Sequence, residues 1–391
     1  MSDRPLKELK DKTPLDVAYT PNMDNLAKKG ICGLSRTFYE GLPYDSSVAN
    51  MGVLGYDPRK YFTGRAPLEA ANIGVDLAYG DIALRCNLLT VQDGRIVDFT
   101  AGHIPNKDAL ELMNSLGERL GGRGVEFHAG VSYRNLLVLR SDLRPSLDFT
   151  ARQPHDIVGH RVDENLIQSN SKEAGATVQL LNDLMEKAGD ILANHELNWR
   201  RIGEGKNPAN AAWFWGAGVK PNMPLFEKVF GLKGSLVSAV DLLKGLGRII
   251  GMRVLDVKGA TGYYDTNYEG KADAALNSLA DLDLAYIHVE STDEAGHEGS
   301  IEHKIKAIED IDERVLGRII DNIEGDYAIL LMPDHSTPIV ARTHTTDPVP
   351  YVIFDTRRKA EGVKAYNERD IGEKAGQRIV DSHTLMKKMT G

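Results

Sequence analysis

The chain has 391 residues, 42% hydrophobic and 26% charged, with a formal net charge of −9, enough for a sizeable core and for two domains or one with a large insertion. The negative balance excludes a general nucleic-acid binder, because a phosphate backbone attracts basic surfaces, and no run of about 18 apolar residues offers a membrane span. With only Cys32 and Cys86 and a polar start, MSDRPLKELKDK, neither a disulfide framework nor a signal peptide is expected, so the setting expected is reduced and cytoplasmic.

In chain order, PNMDNLAKKG at 21–30 predicts a short helix closed by Gly30, and ICGLSRTF after it a strand. Asp45 to Leu54 predicts a turn entering a helix that stops at GYDP, 55–58. From about 62 to 160 the texture changes to shorter strands and turns, such as IALRCNLLTV at 82–91 and RNLLVLR at 134–140. SKEAGATVQLLNDLMEKAGDILANHEL at 171–197 has the three-to-four residue apolar spacing of a long amphipathic helix. Beyond it, apolar runs such as AAWFWGAG, RVLDV, LAYIHVE, YAILLM and PYVIFD alternate with helical stretches, which predicts an α/β fold with a parallel-rich sheet flanked by helices. Residues 1–60 and 185–391 are expected to build that sheet domain, with 62–180 an inserted, smaller α+β domain.

Three stretches concentrate hard ligands just past apolar runs. In LAYIHVESTDEAGHEGS, Asp293 precedes His297 by four residues, a spacing that aims both side chains at one ion from a turn or one helical face. YAILLMPDH ends on Asp334 and His335, and His344 follows nine residues later. In open α/β sheets, ligands gather outside the carboxyl ends of the strands, where these groups fall. A lone strand-end Asp or His is commonly a cap or a solvated group. Five of them between residues 293 and 344 form a joint pattern that points to a metal site. Mixed carboxylate and imidazole donors suit Mn²⁺, Zn²⁺ or Co²⁺, whereas all-oxygen sets suit Mg²⁺. His288, inside a predicted strand, and His303, on a polar helix, read as structural. Upstream, GLPYDSSVANMGVLGYDP places Ser46 at or near a helix N-terminus, where free N–H groups and the dipole favour a phosphate. Taken locally, the favoured reading of Ser46 or Ser47 is a helix cap.

With these stretches in hand, the chain resembles the archaeal-type cofactor-independent phosphoglycerate mutases of the alkaline phosphatase superfamily. The resemblance runs through TPLDVAYTPNMDNLAKKGICGL, SSVANMGVLGYDPRKYFTGRAPLEA, ALRCNLLTV, GKNPANAAWFWGAG, SAVDLLKGLGRIIGM, GATGYYDTNYEGKADAAL, DEAGHEGSIEHKIKAIEDID and PDHSTPIVARTHTTDPVPYVIF, in the family's order. It implies an isomerase of glycolysis and gluconeogenesis that needs two divalent metal ions (Mn²⁺, Mg²⁺, Zn²⁺ or Co²⁺) and no 2,3-bisphosphoglycerate. Asp293, His297 and His344 would hold one ion, and Asp334, His335 and Ser46 the other. Ser46 would become phosphorylated from 3-phosphoglycerate, and the phosphate would return to the 2-hydroxyl. The implied partner is thus a small phosphorylated hydroxy acid, with no nucleic acid and no membrane. Arg65, Arg85, His103 and Arg134 are the candidates for holding its carboxylate and phosphate.

Two departures from the family pattern stand out. The family's first strand ends in Asp-Gly-Met-x-Asp, and MSDRPLKEL matches only from the Met, keeping the second acid as Asp3. A strand and one ligand carboxylate are therefore expected to be missing, with poor stability and a weakly held second metal. Ser47 stands where relatives carry an acid, and Asp45 is the nearest substitute. The alternatives are a related metal-dependent phosphotransferase or phosphatase, including a proposed homoserine kinase role, and an inactive form that binds phosphorylated acids. No P-loop is present, and GLGRIIG at 245–251 does not match a dinucleotide fingerprint.

Overall fold

The helix Pro21–Lys29 starts on a proline, whose fixed φ and missing N–H cost nothing at a first helical position, and runs through Gly30 into strand β1 (Ile31–Arg36). The computed structural model, which describes residues 1–391, divides the chain into two units: Met1–Phe62 with Asn222–Gly391, and Thr63–Pro221. After β1 the chain enters the second unit with β2 (Ile82–Gln92), β3 (Arg95–Asp98), β4 (Val125–Val131), β5 (Arg134–Leu139), β6 (Phe149–Thr150), β7 (Gln168–Ser169) and β8 (Ala211–Gly218). It returns to the first with β9 (Gly234–Val237), β10 (Arg253–Leu255), β11 (Leu284–Ile287), β12 (Ala328–Leu331), β13 (Val349–Asp355) and β14 (Ile379–Asp381).

The first unit holds two sheets, β12-β13-β1-β14 and β10-β9-β11. The β10-β9-β11 sheet is wholly parallel; in the other, β1 pairs parallel with β14 and antiparallel with β13, which also pairs antiparallel with β12. Three of the five pairings are therefore parallel, and β11 and β12, the strands that lead into the ligand stretches, each end a sheet. One core of this unit joins Met23 and Leu26 with Tyr268, Ile308, Val352 and Tyr366. Asp312 fastens its helices together: its carboxylate accepts from Met23 N at 2.7 Å and from Asn22 N at 3.2 Å, so one buried acid satisfies two orphan donors of helix Pro21–Lys29. No helix in the chain is long and apolar enough to cross a membrane.

The second unit is built on β2, which pairs antiparallel with β5 and β8 along most of its length and with β3 at its end. Helices Asn106–Leu120 and Gly175–Ala193 bury Leu112, Leu116, Leu181 and Leu192 in one core with Leu84, Cys86 and Leu88 of β2. Ala66 and Ala70 of helix Ala66–Asn72 meet Ala83 and Val138 in a separate cluster.

The domain limits need correction. The first boundary lies between Phe62 and Thr63, but the second falls after Pro221, not near 180–185. The long helix belongs to the β2 core, and AAWFWGAG, expected as a strand of the main sheet, is β8, paired with β2 from Leu89↔Ala211 to Ala83↔Gly218. Its Ala212 to Trp215 are buried, which an apolar run satisfies equally well in either sheet.

Candidate active site

Past β11 the chain runs through His288–Glu290 into helix Ser291–Glu298, which Gly299 ends at φ 76. Asp293 and His297 are i and i+4 on that helix, so they share a face, with Asp293 Oδ2 3.3 Å from His297 Nε2. Gly296 lets the helix press on the segment after β12: a Cβ there would lie 2.3 Å from the Thr337 carbonyl oxygen. That close approach seats Thr337 Oγ1 as donor to Asp293 Oδ1 and within 3.2 Å of His335 Nδ1. His344 arrives from the loop before β13, its Nε2 3.5 Å from Asp293 Oδ1 and 3.2 Å from His297 Nε2.

Backbone carbonyls fix both of those imidazoles. His344 Nδ1 donates to Tyr44 O at 2.8 Å and His297 Nδ1 to Arg342 O at 3.0 Å. Each ring thus turns Nε2 toward the other, an arrangement satisfied by a shared proton or by a cation. Burial alone would raise Asp293, but hydrogen bonds from His297 and His344 outweigh it and hold its carboxyl well below the usual range. The hydrogen bond to Asp293 pushes His297 up to about 9. His335 goes the other way: burial pushes it down to about 4 against the opposing charge of Asp334. Its imidazole is therefore neutral at pH 7 and keeps one ring nitrogen as an acceptor.

Ser46 opens helix Ser46–Val53 at its first position, and its Oγ lies 3.1 Å from His335 Nε2. The cap is neither serine but Asp45, whose Oδ1 accepts from Ser47 N at 2.8 Å, from Val48 N and from the Ser47 hydroxyl. This separates the two hydroxyls: Ser47 is buried and spent on the cap, while Ser46 faces the histidine. It also revises the expectation that this helix start offers free donors to phosphate, since Asp45 occupies those of Ser47 and Val48. Asn50, one turn on, donates to Ser46 O at 2.9 Å and to Asp334 Oδ2 at 2.8 Å, tying the Ser46 helix to the segment after β12.

In the second unit, Arg65 sits at the start of helix Ala66–Asn72 and Arg85 on β2, and both reach Glu69, at 3.4 and 3.1 Å. Arg85 lies within ion-pair range of Glu69 although its buried Nε makes no aligned hydrogen bond. Its guanidinium stands 4.4 Å over the Trp215 ring. Arg134 begins β5 and lies 5.7 Å over Tyr133, the ring that His103 meets edge-on at 6.2 Å.

Residues 27–198 match the family model described as 2,3-bisphosphoglycerate-independent phosphoglycerate mutase. A protein of that name from Methanosarcina acetivorans is 46% identical over 375 residues, 95% of this chain and 92% of the relative. A Geobacter sulfurreducens protein, named a probable member, is also 46% identical, over all of this chain and 97% of its own. Among solved structures, a Pyrococcus horikoshii protein superposes with TM-score 0.82 at 31% identity, covering 100% of this chain and 93% of that one. The cofactor-independent phosphoglycerate mutase of Thermoplasma acidophilum does so at 0.67 and 30%, covering 100% and 96%. The chain belongs to the 2,3-bisphosphoglycerate-independent phosphoglycerate mutase family.

For a member of this mutase family, the site has donors that fit a divalent cation. One ligand atom each from Asp293, His335 and His344 lies within 4.8 Å of the others, and the two facing Nε2 atoms of His297 and His344 add a lone-pair arrangement that a cation satisfies. Several residues of this cluster escaped the sequence reading. His288, read as structural, sits with Nε2 3.4 Å from both Glu290 and Asp334. Burial pushes the Glu290 carboxyl up to about 7. Tyr286 holds the Asn50 amide oxygen, and Thr337 bridges Asp293 and His335. The available signal was alternation: Tyr286 and His288 are polar-tipped residues two apart in the apolar run LAYIHVE, which as an extended segment puts them on one face. Asp3, the retained acid of the N-terminal motif, faces elsewhere, buried against Lys304 Nζ at 2.7 Å and the Ile339 amide.

Proposed function

We propose that this chain interconverts 3-phosphoglycerate and 2-phosphoglycerate through a phosphoserine at Ser46. The observation that carries the reading is the Ser46 hydroxyl, opening its helix 3.1 Å from a neutral, buried His335, within the fold of the mutase family. In the first half-reaction the Ser46 Oγ–phosphorus bond forms, the bond from phosphorus to the 3-oxygen breaks, and that oxygen takes up a proton as Ser46 loses one. Glycerate then reorients, and its 2-hydroxyl takes the phosphoryl group back from Ser46. Neither ATP, water nor 2,3-bisphosphoglycerate is consumed.

Asp293, His297 and His344 would hold one divalent cation, and Asp334, His335 and Ser46 a second. Bound cations at such a site lower the pKa of a hydroxyl and offset charge on the transferring phosphoryl oxygens. The mixed carboxylate and imidazole donor set favours Mn²⁺, Zn²⁺ or Co²⁺ over Mg²⁺. Within the protein, Asn50 holds Asp334 and the helix of Ser46 together, and the Tyr44 and Arg342 carbonyls keep the His344 and His297 rings turned inward. Arg65, Arg85, His103 and Arg134 receive the substrate's carboxylate and phosphate, the favourable partners for guanidinium groups. The free thiols of Cys32 and Cys86 accord with a reduced, cytoplasmic setting.

The test is incubation of metal-loaded protein with 3-phosphoglycerate. Formation of 2-phosphoglycerate without free phosphate is expected. Free phosphate as the main product would make the chain a phosphatase, and transfer only with ATP and an alcohol such as homoserine would make it a kinase.

A further inference from the structure

His155 belongs to the same patch as the arginines of the second unit, although no family motif points to it. The patch begins with a backbone irregularity. Between the pairs Ala83↔Gly218 and Arg85↔Trp215 a single residue of β2 opposes two of β8, and Gly216 takes φ 63 to accommodate the extra residue. Such a bulge re-aims its neighbours and recurs beside binding sites. Here it lays the Arg85 side chain along Gly216, where an added Cβ would lie 3.5 Å from Arg85 Cδ, and sets the guanidinium on Trp215.

Trp215 and Arg85 are buried and form a floor. Around it runs a chain of rings: His155 edge-on to Trp215 at 5.7 Å, His155 to Phe99 at 5.9 Å, and Phe99 edge-on to Tyr133 at 6.0 Å. Arg134 closes the chain on Tyr133. The cations outnumber their counter-charge, since Arg65 and Arg85 share the one carboxylate of Glu69 and the buried Arg85 Nε has no aligned acceptor. Two guanidinium groups on one carboxylate leave positive charge that a further anion would balance.

We propose that an anion bound at Arg85 recruits His155 as a fourth cation beside Arg65, Arg85 and Arg134, so that binding takes up a proton. The groups that face His155 explain why it does so only on binding. Burial keeps its imidazole below the ordinary value; Asp156, 3.7 Å away, opposes this more strongly than the repulsion of either Arg85 or Arg65 alone supports it. Phe99 and Trp215 add no charge. An anion over Arg85 cancels the repulsion and supplies a hydrogen-bond acceptor, so the protonated ring becomes the favoured form. His155 is exposed enough to exchange its proton with water, being 44% accessible at the side chain. It is a specificity residue, because the gain rises with the negative charge of the ligand. A phosphorylated carboxylate is held more tightly than the dephosphorylated acid, most of all in mildly acidic solution.

This inference rests on the reading that the arginine patch receives the substrate, and the experiment separates the two. The zinc-loaded whole chain, with ring-¹³C histidine, is titrated by NMR with and without saturating 3-phosphoglycerate, His155→Gln assigning the signal. The expected result is a His155 pKa raised by about one unit on saturation, a tenfold gain in proton affinity. The kinetic counterpart is that His155→Gln raises KM about 3–10-fold near pH 6, converges with wild type above pH 8 and leaves kcat within about twofold. An unchanged or lowered His155 pKa, or a KM ratio flat across pH, overturns the proposal. Mutase turnover in the same preparation tests the other reading: turnover without a His155 response sinks the proton uptake alone. A His155 response without turnover keeps the anion site and sinks the mutase assignment. Arg134→Gln, at the exposed rim, is the control, and it should weaken 3-phosphoglycerate while leaving the pH dependence from His155 in place.

Discussion

Ser46 Oγ and His335 Nε2 meet at 3.1 Å across 289 positions of sequence, while Ser47, the next residue, turns its hydroxyl back to Asp45. In the proposed reaction this pair selects Ser46 over the adjacent Ser47. Asp45 contributes indirectly, by capping the helix so that its first residue points at the histidine.

Ser46→Ala is expected to lower mutase turnover by at least about 10³-fold, the scale of losing a covalent nucleophile, and to abolish a phosphoserine found by mass spectrometry in the quenched enzyme. Ser47→Ala is expected to keep turnover within about tenfold and to lose about 1 kcal/mol of stability with its bond to Asp45. A phosphate mapped to Ser47 would reverse the assignment.

Asp45→Ala is expected to cost about 0.5–2 kcal/mol in urea denaturation, the range for a lost helix cap. Its effect on turnover should exceed that of Ser47→Ala, because the start of the helix frays and Ser46 loses its aim. Equal effects of the two substitutions would show that the cap does not position the nucleophile.

Metal binding is expected to tighten as pH rises. In the metal-free protein the hydrogen bond to Asp293 keeps His297 protonated up to about 9, and a cation must displace that proton. Below about 9, therefore, each unit of pH should strengthen binding by up to about tenfold, with proton release seen by calorimetry in two buffers. His297→Gln should flatten the slope and lower the metal content measured by mass spectrometry. The sign for metal-free stability is opposite: the His297–Asp293 contribution is full below the unfolded value of 6.5 and is lost as pH rises through about 9.

Acid should destabilise the metal-free protein through His335. Its folded value, held at about 4 by burial, lies below the ordinary imidazole value of 6.5, so between these two the unfolded chain binds a proton that the folded chain refuses. Stability then falls as pH drops through that window, by on the order of 3 kcal/mol in full. Urea midpoints at pH 7 and pH 5 measure it, and His335→Gln should remove much of the difference. A midpoint independent of pH over this range would contradict the assignment.

Lys304 and Asp3 form an ion pair with no side-chain exposure, and Lys304 also donates to the carbonyls of Ser2 and Thr337. Lys304→Met is expected to cost about 3–5 kcal/mol by stranding Asp3. Adding Asp3→Asn should recover part of that loss, because the remaining group is then neutral. Additive losses in the double variant would show that the two charges are not coupled.

Composition and local pattern determined the α/β class and pointed to a metal site, whereas the reaction and the role of Ser46 came from the family resemblance. Asp293 and His297 were legible because an i, i+4 pair shares a helical face whatever surrounds it, and Asp334 and His335 because they directly follow an apolar strand. Ser46 was legible as a helix start but not as distinct from Ser47, since the difference lies in which side chain Asp45 accepts from. Tertiary structure alone decided that His288 turns toward Asp334 and Glu290, and that Asp3 faces Lys304. It also decided that β8 pairs with β2, more than 100 residues earlier, which moves the domain boundary to Pro221. An apolar run states that a strand is buried on both faces, but its hydrogen-bonding partner is chosen by packing between distant segments. The Arg85, Trp215 and His155 patch hides for the same reason: one residue of bulge and three separate elements assemble it, and none of them carries a periodic signal.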